Sequence, residues 1–239
     1  MSTNNHPAPA LVVFDMAGTT VEDTGLVQRS FLAADEHAGL STDAQDRERM
    51  MQYVHDTMGQ SKIVVFRHLS RGNEEQAQTA NKAFERSYAQ LVEDGNCSPI
   101  PGAVDVMSAL RDQGVKVALT TGFAFETQQA ILDALGWQGL ADVVLCPGDG
   151  IRGRPYPDMA LTALLRTATD SVQQMVVVGD TSSDITTGVR AGARASVGVL
   201  TGAHGADQLR AAGATHVLDS VADLPGLLTE LHAGAFSAV

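Results

Sequence analysis

The sequence predicts an α/β fold, a Rossmann-like parallel sheet into which an α-helical segment has been inserted. Three observations lead there. Short β-branched runs recur along the chain, they alternate with helical patterns from Val115 onward, and the long stretch after the first run has helical periodicity only.

Taken in order, the strand-like runs are Leu11–Asp15, Val115–Thr121, Val143–Cys146, Met175–Asp180, and the weaker Ser196–Leu200 and His216–Leu218. Helical patterns at Phe125–Leu135, Asp158–Thr167, Ile185–Ala191 and Ala206–Ala212 separate the later runs, the rhythm of a parallel sheet with crossover helices. Between the first two runs the periodicity is that of helices at Leu26–His37, Thr42–Thr57, Ser61–Leu69 and Glu74–Glu93, punctuated by Gly39, Gly59, Gly72 and Gly95. A helical cap over residues 25–98, set into a core made of 1–24 and 99–239, is therefore expected. Pro99-Ile-Pro-Gly102 reads as its second hinge.

The 239 residues suffice for a substantial hydrophobic core, and 44% hydrophobic with 18% charged residues is an ordinary globular composition. A formal net charge of −12, with no basic cluster, works against nucleic acid as a partner. The longest apolar strings fall far short of a bilayer span, so no membrane association is expected. Met1–Ala10 is polar and proline-bearing and reads as a loose tail, not a signal peptide, which makes the cytoplasm the expected compartment. Cys97 and Cys146 are read as ordinary thiols.

Four short segments carry chemistry. Leu11-Val-Val-Phe-Asp15-Met-Ala17-Gly18-Thr19 places a carboxylate at the end of a strand, where open α/β sheets build their sites, followed by a glycine and a hydroxyl. Val176-Val-Val-Gly-Asp180-Thr-Ser-Ser-Asp184 is a second strand end; its two carboxylates are four residues apart, so one helical turn can direct both toward one point and hold Mg²⁺. Thr120-Thr121-Gly122 ends a third strand with hydroxyls and a glycine amide suited to phosphate oxygens. Gly153-Arg154-Pro-Tyr-Pro157 sets a permanently charged guanidinium on a stiff loop. Each alone is explained by caps and turns. Gly148-Asp-Gly-Ile-Arg-Gly153 fits a dinucleotide pattern, but Pro155 and Pro157 prevent a helix from opening behind it.

In this order the four segments resemble the motifs of the haloacid dehalogenase superfamily, over residues 11–201. The resemblance implies a Rossmann-like core with a helical cap, Asp15 as a nucleophile that becomes phosphorylated, Thr121 and Gly122 at phosphate, and Arg154 steadying it. It assigns Asp15, Ala17, Asp180 and Asp184 to the metal positions for Mg²⁺. Two departures are informative. Most phosphatases of the superfamily carry an acid-base Asp two residues after the nucleophile, where this chain has Ala17, and Arg154 stands where a lysine is usual.

Both departures, together with Met58-Gly-Gln-Ser-Lys62, resemble the phosphonoacetaldehyde hydrolases, or phosphonatases. That likeness implies cleavage of a carbon–phosphorus bond in phosphonoacetaldehyde or a related 2-oxoalkylphosphonate, with Lys62 forming a Schiff base, Met58 near the substrate, and a homodimer. The family's histidine three residues beyond the lysine is replaced by Val65, and spacing does not show that His55 or His68 substitutes for it. Two other readings stand beside it: a Mg²⁺-dependent phosphate-ester phosphatase or phosphomutase-like member, and a noncatalytic binding partner.

Overall fold

A computed structural model describes residues 8–233. Its centre is a six-stranded, all-parallel sheet of β1 (Leu11–Asp15), β2 (Lys116–Thr120), β3 (Val143–Leu145), β4 (Met175–Gly179), β5 (Ala195–Val199) and β6 (His216–Leu218), in the order β3-β2-β1-β4-β5-β6. β1 and β4 are buried throughout, as continuous apolar runs such as Leu-Val-Val-Phe and Met-Val-Val-Val require in a sheet covered on both faces. Ala10 already belongs to this sheet: its N–H donates to Gln174 O and its carbonyl accepts from Lys116 N, each at 2.8 Å. The loose tail is therefore shorter than expected at its inner end, and residues 1–7 lie outside the described residues.

Between β1 and β2 come α1 (Leu26–Ala38), α2 (Ala44–Asp56), α3 (Lys62–Leu69), α4 (Glu74–Glu93) and α5 (Ala103–Asp112). The first four follow the periodicity closely. Asp43 and Asn73 cap the N-termini of α2 and α4, and Gly39 ends α1 in the left-handed conformation that a side chain would strain. α5 has no counterpart among the expected helices, although Ala103, Val106, Met107 and Leu110 form a buried stripe at helical spacing. The remaining helices are α6 (Phe125–Leu135), α7 (Asp158–Arg166), α8 (Ser182–Ala191), α9 (Ala206–Ala211) and α10 (Leu224–Ala233), the last also unexpected.

The two chain segments entering and leaving the inserted helices run side by side. Glu22 N donates to Ser98 O and Ile100 N donates to Thr20 O, both at 2.9 Å. Phe31, Phe66, Phe84 and Tyr88 fill the interior of the insert, and the core is continuous from there into the sheet. Among the described residues no helix is long and apolar enough to cross a membrane.

Candidate active site

The strand order reverses between β1 and β4, and an open parallel sheet offers a crevice at the carboxyl edge of such a switch point. Asp15 closes β1 there, and Asp180 follows the last residue of β4 beside it. Asp184 joins them from the first turn of α8, and ligand oxygens of the three carboxylates lie within 4.8 Å of one another. Helical spacing is not what brings Asp180 and Asp184 together, because α8 begins only at Ser182. Thr181 is the N-cap; its backbone N–H donates to Asp184 Oδ2 at 3.1 Å in a capping box that turns the other carboxylate oxygen inward.

Asp180 is held on several sides. Thr19 Oγ1 donates to its Oδ1 at 2.9 Å and Ala203 N donates to its Oδ2 at 2.8 Å. Gly18 makes the close approach possible: its φ is +90°, and a Cβ there would lie 2.5 Å from Asp180 Oδ2. Arg154 lies 4% exposed against the cluster, with Nη1 2.6 Å from Asp15 and Nε 2.7 Å from Asp184. Its Nη2 donates to Thr120 Oγ1 at 2.5 Å, and that hydroxyl in turn donates to Phe14 O. The planar guanidinium is thus fixed at every nitrogen, a role a lysine could not copy.

Three buried carboxylates face one guanidinium, an excess of negative charge that a divalent cation would neutralise. Burial pushes the Asp15 carboxyl well above the ordinary carboxylate range; Arg154 pulls it down, and Asp184 and Asp180 push it further up. Burial, then the neighbouring Asp184, lift Asp180 to about 6. An all-oxygen donor set with surplus charge fits a hard cation, so the residues present are suited to a metal. Ala17 lines the same cavity and has only its backbone carbonyl to offer.

The inserted helices reach this centre through residues 58–62. Lys62 N donates to Gly122 O at 3.2 Å, and a Cβ on Gly122 would collide with the carbonyls of Gly59 and Gln60. Gly59, at φ +84°, packs with equal closeness on Thr181. The enclosed space is a small cavity of about 50 Å³ whose lining includes Asp15, Met58, Lys62, Thr121, Gly122 and Arg154. Pockets for extended ligands run to several hundred Å³, so this one suits a compact head group.

Lys62 is 6% exposed, and its Nζ stands 5.1 Å from the ring centroid of Phe123 and 6.0 Å from those of Phe31 and Phe84. Among the described residues no carboxylate is within 4.0 Å of it. Facing rings favour an ammonium, yet desolvation outweighs them: burial brings Lys62 down to about 8, against the opposing pull of Asp15 and Asp23.

The structure thus gathers Asp15, Ala17, Met58, Lys62, Thr121, Gly122, Arg154 and Asp180 around one cavity, with Asp184 bound to Arg154 behind it. Thr121 follows β2, and its Oγ1 accepts from Phe123 N at 3.2 Å. Val65 is buried in the apolar core, while His68 stacks on Tyr53 and His55 sits against His204. Thr120, read with Thr121 at phosphate, instead anchors Arg154. Asp23, which lines the cavity, and Phe31, Phe84 and Phe123, around Lys62, carry no functional signal in the sequence. For the phenylalanines nothing local distinguishes a ring over a lysine from core packing.

A family model, haloacid dehalogenase-like hydrolase, matches residues 9–192. The chain belongs to the haloacid dehalogenase-like hydrolases. Among its relatives within that family is a phosphonoacetaldehyde hydrolase of Parabacteroides distasonis, 31% identical over 176 residues, which are 63% of this chain and 65% of that protein's length. A Dickeya dadantii protein named "Probable phosphatase IndB" is 28% identical over 90% of this chain and 92% of its own. Among solved structures, a phosphonoacetaldehyde hydrolase like protein from Oleispira antarctica superposes with a TM-score of 0.79 at 26% identity, over 97% of this chain and 94% of that one. As a haloacid dehalogenase-like hydrolase, the chain has the fold class that its motifs implied, and it is an enzyme of the hydrolase class.

Proposed function

We propose that this hydrolase cleaves the carbon–phosphorus bond of phosphonoacetaldehyde or a close 2-oxoalkylphosphonate, with residues 25–98 acting as the cap that supplies Lys62. The observation that carries the reading is the pairing of Asp15 and Lys62 across one small cavity, with Ala17 in place of a second carboxylate. A phosphate ester leaves as an alkoxide and needs a proton donor beside the nucleophile; Ala17 cannot be one. A carbon leaving group needs an electron sink instead. A neutral amine provides it by condensing with an aldehyde.

In this mechanism Lys62 attacks the substrate carbonyl, and loss of water leaves an iminium with its nitrogen bonded to the former carbonyl carbon. The Asp15 carboxylate then attacks phosphorus, and the electron pair of the breaking C–P bond moves into the iminium to give an enamine. Protonation at carbon and hydrolysis return Lys62 and acetaldehyde; water releases phosphate from Asp15. Arg154 orients Asp15 and offsets charge on the phosphoryl oxygens, with the Thr121 hydroxyl and the Gly122 amide region beside them. Haloacid dehalogenase-like hydrolases generally use Mg²⁺, which Asp15, Asp180 and Asp184, with the Ala17 carbonyl, would hold here. When bound it supplies charge neutralisation that lets a carboxylate meet a phosphonate dianion.

Incubation with phosphonoacetaldehyde and Mg²⁺ is expected to release acetaldehyde and phosphate in equal amounts, with chelation by EDTA stopping both. Phosphate release from small phosphate esters, with none from the phosphonate, would instead establish the phosphatase reading that the IndB likeness favours.

The state of Lys62 gives a pH dependence. Its burial places half-deprotonation at about 8, well below an ordinary lysine. Only the neutral amine attacks, so the rate of imine formation should rise as pH increases through about 8 and level off above it. Borohydride trapping in short pulses across this range measures that rate; a profile flat from pH 6.5 to 9.5 would place the amine's ionisation elsewhere.

A further inference from the structure

The loop that brings Met58, Gly59 and Lys62 to the site is tied to the sheet by a buried histidine. His204 lies after β5, is 3% exposed, and is bonded at both ring nitrogens. Its Nδ1 accepts the backbone N–H of Ser182 at 2.8 Å. An amide N–H can only donate, so Nδ1 bears no hydrogen and the neutral ring carries its hydrogen on Nε2. That hydrogen is directed at the carbonyl oxygen of His55, 3.1 Å away in the last turn of α2. On its main-chain side His204 N donates to Asp180 O at 3.2 Å. One residue therefore joins the start of α8, the Asp180 strand end and the close of α2.

From His55 to Lys62 the chain is a succession of turns. Met58 N donates to His55 O at 3.2 Å, Gln60 N to Thr57 O at 3.1 Å, and Lys62 N reaches Gly122 O. Such a connector transmits position, so fixing the His55 carbonyl fixes where Lys62 enters the cavity. The neighbouring glycines leave no slack, since Gly59 rests on Thr181 and Gly122 on Gln60.

We propose that His204 is a positioning residue that holds the Met58–Lys62 loop down on the carboxylate centre by bridging Ser182 N–H to the His55 carbonyl. It touches no reacting atom. The proposal rests on the reading that Lys62 works at the Asp15 centre, but one of its two measurements needs no turnover.

Two substitutions divide the bridge. In His204→Asn the amide oxygen replaces Nδ1 and keeps the Ser182 N–H, but the side chain is too short to reach His55. In His204→Gln the amide nitrogen stands where Nε2 was and can donate to the His55 carbonyl. Hydrogen exchange at the Met58, Gln60 and Lys62 amides is expected to quicken roughly two- to tenfold in His204→Asn, the weight of one neutral hydrogen bond, and to stay near the unmodified rate in His204→Gln. Exchange at the β4 amides reports that both variants fold.

On whichever of phosphonoacetaldehyde or a small phosphate ester the unmodified chain hydrolyses, His204→Asn should raise KM by a similar factor, with the rate recovered at saturating substrate, because a loop held down for a smaller fraction of the time binds substrate correspondingly more weakly until substrate draws it closed. His204→Gln should restore KM. Unchanged exchange at 58–62 in His204→Asn would overturn the proposal. So would a fall in kcat with a raised Mg²⁺ requirement at unaltered KM, which would assign His204 to Asp180 alone. A chain inactive on both substrates would defeat the reading of its function and leave the exchange test standing.

Discussion

Asp15→Asn is expected to abolish phosphate release, with kcat down by about 10⁴- to 10⁶-fold, the range seen when a covalent nucleophile is removed. The amide keeps the shape of the carboxylate and can still face Arg154, so the loss isolates nucleophilicity from packing. Asparagine also removes one of three charges from the cluster, and a weakened metal site could by itself lower the rate. The two effects separate on titration with Mg²⁺: saturating metal restores activity lost through binding and leaves unrestored what was lost through the missing nucleophile. Rapid quenching of the unmodified enzyme with substrate should in addition trap a phosphoryl group on Asp15, stable in acid and labile in base. Release that persisted in Asp15→Asn at a tenth of the normal rate would remove Asp15 from the chemistry.

Lys62→Ala and Lys62→Arg form the second pair, and both are expected to lose carbon–phosphorus cleavage by about 10⁴-fold. Arginine is the informative member. It keeps a cation near Asp15 but stays protonated at any working pH and forms no imine with an aldehyde. If Lys62 acted only by its charge, Lys62→Arg would retain most of the rate; if it acts covalently, the two variants fail together. Borohydride added with phosphonoacetaldehyde should inactivate the unmodified chain and leave an adduct on the peptide containing Lys62. Both variants should escape. Folding is not at risk in Lys62→Ala on electrostatic grounds, because the change relieves a buried ammonium of its desolvation and leaves no partner unpaired. Turnover of a phosphate ester by Lys62→Ala at the unmodified rate would support the phosphatase reading.

Much of this site was legible because its groups sit at places where local sequence dictates geometry. A carboxylate after Leu-Val-Val-Phe is delivered to the edge of a buried parallel strand, and Asp180 after Val-Val-Val-Gly arrives at the same edge. The convergence of Asp184 was anticipated for the wrong reason: a capping box with Thr181, not a shared helical face, turns it inward. α5 has a regular apolar stripe, but it opens directly from the Pro99–Gly102 turn on a left-handed Gly102 with no side-chain cap, so its start carries no helix signal in the sequence. The aromatic setting of Lys62 was not legible. Phe31, Phe84 and Phe123 come from α1, α4 and the loop after β2, and each looks locally like a packing residue.

What the sequence alone determined is the order of the motif residues, and with it the family and the fold: alternating apolar strands and amphipathic helices admit few arrangements, and motif residues at strand ends have only one edge to go to. The tertiary structure decided the environment of those groups. That Lys62 is desolvated by three rings, that Arg154 bonds at once to Asp15, Asp184 and Thr120, and that His204 ties the Lys62 loop to the Asp180 strand end all depend on contacts between residues far apart in the chain. Ionisation and positioning are set by neighbours in space, and no local pattern of residues encodes which neighbours those are.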